Sequence, residues 1–306
     1  MGVSNCRSFD KVRGWARDAQ EAGIRTVFIS EDIGCRDAFQ LAAVSVRETA
    51  SVHFTIAVAN PYQRSPIALL EALSTLDELS GGRITLGLGS SSRRQIWGQL
   101  GQSYGRRVHI MRETVACIRR TFCSLSNRPP RLAIAAMGPQ MLRLAGELAD
   151  EVILNTGTTP RYVGWARRHV LEGADRAGRD PSSIAVAVWV PVYIDDDRRQ
   201  AVLRARRWAA RMLSIPEQGE LLLQQAGLSM DFLPHLRQTF QAYPSEGDVE
   251  AAAPIIPEEA VERLAVIVRT PEEAAHRLQT YRDLGVTTVV VGPGPAGRLA
   301  VLMSGA

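Results

Sequence analysis

The chain is predicted to be an α/β protein, a (β/α)8 barrel of the TIM type with a helical elaboration before its last strand. Three observations carry this expectation. Helical and strand patterns alternate through most of the sequence. The strands are near-continuous apolar runs, the pattern of a parallel sheet covered by helices. A length of 306 residues accommodates eight such units, for which about 250 residues are typical. A doubly wound open sheet is the alternative arrangement of the same elements.

The elements follow in order. "MGVSN" reads as a first strand. "FDKVRGWARDAQEAG" (Phe9–Gly23) is an amphipathic helix closing on Gly23. "IRTVFIS" (Ile24–Ser30) is a β-rich run, and "DAFQLAAVSVRE" is helical. "SVHFTIAVA" (Ser51–Ala59) is a strand stopped by Asn-Pro. "SPIALLEALSTLDELSGG" is a helix with Pro66 in its first turn and glycines after its end. "RITLGLG" is a strand, "RRVHIMRETVACIRRTF" a helix, "RLAIAAMG" a strand, "PQMLRLAGELAD" a helix and "EVILN" a strand. "TPRYVGWARRHVLEGADRAG" is a helix, and "SIAVAVWVPVYI" one long strand. Residues 195–264 then read as several helices, broken near Pro216, Gly227, Pro234 and "YPSEGD". "AVIVRT", the helix "PEEAAHRLQTYRDLG", the strand "VTTVVVG" and a terminal helix complete the chain. Residues 1–306 are therefore expected to form a single barrel domain, with the insertion at about 195–264.

Composition narrows the function. Apolar residues make up 45% and charged residues 22% of the chain, ordinary for a soluble globular protein. No apolar run is long enough for a membrane span, and the N-terminus lacks a secretory pattern, so a cytoplasmic protein is expected. The four cysteines, Cys6, Cys35, Cys117 and Cys123, form no CxxC pair and read as reduced thiols. Net charge is +4 and pI about 9.1, with Lys11 as the only lysine. The arginines are scattered and aromatics make up 6%, so a nucleic-acid groove is not expected. A small molecule, anionic in part, is the expected partner.

In a barrel, chemistry sits where the strands end. The stretches to search are Ser30–Arg36, Ala57–Tyr62, Gly87–Arg94, Ala135–Met141, Asn155–Thr159 and Gly292–Gly297. In "AAMGPQMLRLAGELAD", Gly138 and Pro139 open a helix directly after a strand. Helix-start N–H groups are unpaired and carry partial positive charge, so Gly138, Gln140 and Met141 can point donors at an anion. In "SGGRITLGLGSSSRR", Ser90, Ser91 and Ser92 follow the fourth strand and face the barrel mouth, with Arg93 and Arg94 beside them. No GxGxxG opens a helix after a strand, no GxxxxGK[ST] exists, and the His and Cys residues show no metal spacing. No metal is expected.

Three of these stretches together resemble the luciferase-like flavin and deazaflavin oxidoreductases, most nearly the branch that uses coenzyme F420 and includes methylene-tetrahydromethanopterin reductase. "ANPYQRSPIALLEALSTLDELSGGRITLGLGSS" is similar to the family's third strand, third helix and fourth strand in unbroken register. "AIAAMGPQMLRLAGELADEVILN" is similar to its fifth strand, phosphate-binding helix and sixth strand, and "TPEEAAHRLQTYRDLGVTTVVVGP" to its C-terminal unit.

The resemblance implies an F420-dependent reductase that transfers hydride from the deazaflavin C5 to a C=N or C=C bond of a small molecule. An FMN-dependent luciferase-like monooxygenase and a non-catalytic deazaflavin- or flavin-binding protein are the alternatives. It implies that the cofactor phosphate sits at Gly138, Gln140 and Met141, with Ala136 and Met137 lining the turn. Ala57, Val58 and Asn60 would face the ring, with a non-proline cis bond at Ala57–Val58, and Ser90–Ser92 would run beside it. Arg93 and Arg94 would meet the lactyl-glutamate tail of F420. Two departures matter. Relatives have Ser/Thr-Asp-His where this chain has Ser30-Glu31-Asp32, and several put a glutamate where Ser92 stands. The proton is then expected to come from Glu31 or Asp32, if burial raises its pKa, from the substrate itself, or from water ordered by Ser90–Ser92. None of the five histidines lies at a predicted strand end. Dimers are common among such proteins, so a homodimer is the oligomer the resemblance implies, although no seam is legible.

Overall fold

The computed structural model describes residues 1–122, 124–125, 128–154, 159–242 and 245–293. The elements run β1 (Gly2–Val3), α1 (Phe9–Glu21), β2 (Thr26–Ile29), α2 (Ala38–Glu48), β3 (His53–Ala59), α3 (Pro66–Ser80) and β4 (Ile84–Leu88). There follow α4 (Arg93–Leu100), α5 (Arg107–Phe122), β5 (Leu132–Ala136), α6 (Pro139–Leu148), β6 (Glu151–Leu154), α7 (Pro160–Arg176), β7 (Ala185–Trp189) and β8 (Val192–Ile194). The insertion holds α8 (Arg198–Leu213), α9 (Gln218–Ala226), α10 (Leu233–Thr239), the strands β9 (Phe240–Gln241) and β10 (Glu246–Gly247), α11 (Val249–Ala252) and α12 (Glu258–Leu264). The last described elements are β11 (Val266–Val268), α13 (Pro271–Asp283) and β12 (Thr288–Val290). The terminal helix expected from sequence, and most of the stretches 155–159 and 292–297, lie outside the described residues.

Strands β1 to β7 and then β12 form one parallel sheet in chain order. The Gly2 amide donates to the Val291 carbonyl at 2.8 Å and brings the first strand back to the last. This is the TIM barrel expected from the sequence, not the doubly wound sheet. The long seventh strand is corrected: it divides at Val190–Pro191. The proline has no N–H for a ladder, and β8 leaves the barrel to pair with β11 in a separate parallel ribbon.

Local chemistry explains where the helices start. Ser65 accepts from the Ala68 amide with Pro66 in the first turn of α3, Thr159 accepts from Tyr162 at α7, and Thr270 from Glu273 at α13. α6 differs, because Gly138 offers no side chain to its first amides. Its placement is fixed by packing on α7. A Cβ at Gly146 would collide with the Val170 carbonyl, and one at Gly173 with the Arg143 carbonyl. The two helices therefore approach backbone to backbone, which holds the start of α6 over the end of β5.

The third strand carries the one irregularity that shapes the site. Its register against β4 shifts between Ile56 and Ala59, and the Ala57–Val58 bond is cis as expected from sequence. The glycines of "GLG" make room for it. A Cβ on Gly87 would meet the Ile56 carbonyl, and one on Gly89 would meet Val58. The barrel interior above is built from Phe28, Ala57, Ala133, Ile153, Ala187 and Val290, mostly small residues. The insertion helices bury a separate apolar cluster around Leu213, Leu222, Leu223, Phe240 and Val261. Within the described residues, no helix is long and apolar enough to cross a membrane.

Candidate active site

A cavity of about 1310 Å³ opens at the carboxyl ends of the strands. One wall consists of strand ends: Ala57 and Val58 from β3, Gly89 and the three serines after β4, and Ala135 to Met141 leading from β5 into α6. The residues are small, so a flat ring can lie against backbone. The first amides of α6 open onto the same wall. With no side-chain cap at Gly138, their unpaired N–H groups and the helix dipole give this corner of the cavity donors suited to an anion. Buried Tyr162 fixes the turn by donating its hydroxyl to the Met137 carbonyl at 3.0 Å.

A second cleft of about 710 Å³ runs on from that corner. Gln140, Arg93 and Arg107 line both spaces, and Arg106, His109 and Arg112 extend the smaller one. Arg112 is paired with Glu147 at 2.5 Å, and Arg107 has Glu217 at 3.8 Å. Arg93 and Arg107 both lie near the Tyr104 ring, at 6.0 and 5.9 Å. The cleft is therefore a cationic extension of the anion corner.

Glu31 lies on another side of the cavity, at the end of β2. Its side chain is 2% exposed. Oε1 accepts from Arg64 Nε at 3.0 Å and Nη2 at 2.9 Å, while Oε2 is buried with no hydrogen-bond partner among the described residues. Arg64 also binds Asp37 and lies over the Phe39 ring at 4.7 Å. Asp37 is needed elsewhere too, because it caps α2 through the Phe39 and Gln40 amides. Two carboxylates thus share one guanidinium. Burial pushes the Glu31 carboxyl up, only partly offset by Arg64, and the Asp37 charge adds to the rise. Burial also acts upward on Asp37, but the Gln40 amide, Arg64 and the Phe39 amide outweigh it and hold its pKa below the ordinary range. The two environments push the pair's pKa values apart, Glu31 upward and Asp37 downward.

A model of the luciferase-like monooxygenase family matches residues 2–288. The chain belongs to that family. It is 26% identical over 315 aligned residues to the 5,10-methylenetetrahydromethanopterin reductase of Methanolobus tindarius, spanning 96% of this chain and 94% of that one. It is 25% identical over 303 residues to the F420-dependent glucose-6-phosphate dehydrogenase of Nakamurella multipartita, spanning 89% and 83%. The structure of the coenzyme F420 dependent tetrahydromethanopterin reductase from Methanopyrus kandleri superposes with a TM-score of 0.84 at 20% identity, covering 99% of this chain and 96% of that one. The protein is thus an enzyme of the luciferase-like family, an oxidoreductase on the family's barrel.

Several expected site residues of this luciferase-like enzyme take different parts. Asn60 does not line the cavity. It is 1% exposed, and its Nδ2 donates to Ser91 Oγ at 2.8 Å from behind the wall. With Tyr104, which donates to the Ser91 carbonyl at 2.9 Å, it holds Ser91 at a φ of 54°, a region that few non-glycine residues occupy. Ser92 stays in the wall, but its hydroxyl caps α4 in a capping box with Gln95. That helix was not expected from sequence, although Ser92-x-x-Gln95 is its local signal. Arg94 turns away from the anion corner, donating to the Ala242 carbonyl at 3.0 Å and pairing with Glu246 at 2.9 Å.

Asp32 lines the cavity beside Glu31 but its polar atoms are committed to the loop. Its Oδ2 accepts from Ser30 Oγ at 2.8 Å, and its amide donates to Asn5 Oδ1 at 3.0 Å. Asn5, fully buried, also donates to the carbonyls of Asp32 and Arg36. Asp32 thus belongs to the framework of the loop that presents Glu31. Cys6 and Cys35 span the same two loops as a disulfide, which corrects the expectation of reduced thiols at these two positions. Their separation of 29 residues is one βα unit, and neighbouring strand ends bring them together. Cys117 is free, and Cys123 lies outside the described residues.

Proposed function

We propose that the chain is an F420-dependent reductase acting on a C=N or C=C bond of a small molecule. The observation that carries this reading is the cationic cleft continuing from the start of α6. FMN ends at its phosphate and has nothing to place there, whereas F420 continues into a lactyl-glutamate tail whose carboxylates complement Arg93, Arg106 and Arg107.

The residues present fit the cofactor. The uncapped amides at Gly138, Gln140 and Met141 would hold the phosphate. Ala57, Val58 and Ala136, with Ser90 to Ser92, would border the ring, and the glycines that clear Val58 keep that wall flat. When bound in its reduced form, F420 supplies the hydride. The protein's tasks are to orient the acceptor against the ring, exclude water and deliver the proton that balances the hydride. Glu31 is assigned the proton: its buried carboxyl holds one more readily than an exposed glutamate, and its free Oε2 is not committed to Arg64.

The cleft gives a direct test. Replacing Arg93 or Arg106 with Ala is expected to weaken F420 binding about tenfold, the scale of a lost charge-assisted contact. FMN affinity is expected to stay unchanged. Fluorescence titration of both cofactors against each variant checks this. Equal losses for the two cofactors would show that the cleft does not read the tail.

A further inference from the structure

The cavity is larger than the roughly 300–1,000 Å³ that encloses one drug-sized ligand, and its two sides differ in chemistry. The strand-end wall combines small residues, three serine hydroxyls and the uncapped start of α6. Another side is made by the insertion and by the segment that follows the break at Pro191. Trp208 and Met212 stand one turn apart on α8, so they share a face. Ile215 follows, Leu221 comes from α9, and Tyr193 lies just after the break at Pro191.

Charge on this side is accounted for. Glu220 is bound by Arg237 at 2.5 and 2.9 Å. Glu217 points toward Arg107, at 3.8 Å. Among the described lining residues the cations are Arg93, Arg94 and Arg107. All three come from the α4–α5 segment, and Arg94 is already paired with Glu246. The α8–α9 side supplies no cation to a substrate. A phosphoryl or carboxylate group there would be desolvated without a partner. The Trp208 indole and the Met212 thioether instead offer flat, polarizable contact to a flat, apolar molecule.

We propose that this half of the cavity takes a neutral, planar, largely apolar substrate, an aromatic or conjugated molecule, and not a sugar phosphate. This rests on the reading that the cofactor ring occupies the strand-end wall. The acceptor then lies between that ring and the Trp208–Met212 face, within the space that Glu31 also borders.

The test uses Nile red, a neutral planar dye whose emission strengthens in apolar surroundings and lies far from that of the deazaflavin. Saturable dye binding is expected, persisting at saturating oxidised F420. It is expected to weaken fivefold or more in Trp208→Ala and in Leu221→Asn, with folding checked by circular dichroism. Leu221→Asn serves if Trp208→Ala does not fold. Millimolar glucose 6-phosphate is expected not to displace the dye. Displacement by F420, displacement by glucose 6-phosphate, or unchanged affinity in both variants would each overturn the proposal. Failure of F420 to bind, with dye binding still dependent on Trp208, would refute the cofactor reading and leave the substrate class standing.

Discussion

Replacing Glu31 with Gln is expected to slow single-turnover oxidation of the reduced cofactor tenfold or more, with cofactor affinity unchanged. Amide and carboxyl have nearly the same shape, so the contact with Arg64 is retained in part while the transferable proton is lost. General acid catalysis contributes roughly 10²–10⁴-fold, so tenfold is a conservative bound. The pH dependence carries the same information. Burial, reinforced by Asp37, raises the Glu31 pKa. With Glu31 as the proposed acid, its protonated form is the active one, so the wild-type rate is expected to fall as pH rises through that raised pKa. The Gln variant has no such limb. Asp32→Asn and Ser92→Ala, measured alongside, are expected to keep most of the rate, because Asp32 is held by the loop framework and Ser92 by its helix cap. An unchanged rate in Glu31→Gln would move the proton source to solvent or to the substrate.

Replacing Arg64 with Met is expected to destabilise the protein by about 3 kcal/mol, the lower end of what removing one partner from a buried ion pair costs. The lower end applies because Arg64 keeps 23% of its side chain exposed. The variant would leave two carboxylates, Glu31 and Asp37, without their shared cation. Asp37 retains the amides of α2, so Glu31 carries most of the loss. The double variant with Glu31→Gln should therefore recover about 1 kcal/mol or more, the sign of direct coupling. Urea unfolding of the four proteins measures this. A loss below roughly 0.5 kcal/mol, typical of an exposed pair, would contradict the account of Glu31 as a buried, poised group.

What the sequence made legible is what depends on neighbours in the chain. The barrel follows from alternating apolar runs and helical periods. The α6 turn follows from Gly138-Pro139 placed after a strand. The cis bond at Ala57–Val58 followed from a family resemblance, and Gly87 and Gly89, whose spacing answers it, were visible in the same stretch. What stayed hidden depends on residues that meet across the fold. Arg64 reaches Glu31 from 33 positions away, and Asn5 reaches Asp32 from 27. Cys6 meets Cys35 because β1 and β2 end side by side. No local pattern marks such partners. The capping box at Ser92 and the break at Pro191 do have local signals, Ser92-x-x-Gln95 and a proline without an N–H. The chemistry of the cavity's far side comes from an insertion whose folding over the mouth only the structure reveals.

A site that takes a deazaflavin with an anionic tail should distinguish F420 from FMN. Fluorescence titration of the wild-type protein with oxidised F420 and with FMN, in the same buffer, tests it most directly. F420 is expected to bind at least about tenfold more tightly, a difference of roughly 1.4 kcal/mol, and the preference is expected to narrow as salt screens the cleft. Comparable affinities, or tighter binding of FMN, would contradict it.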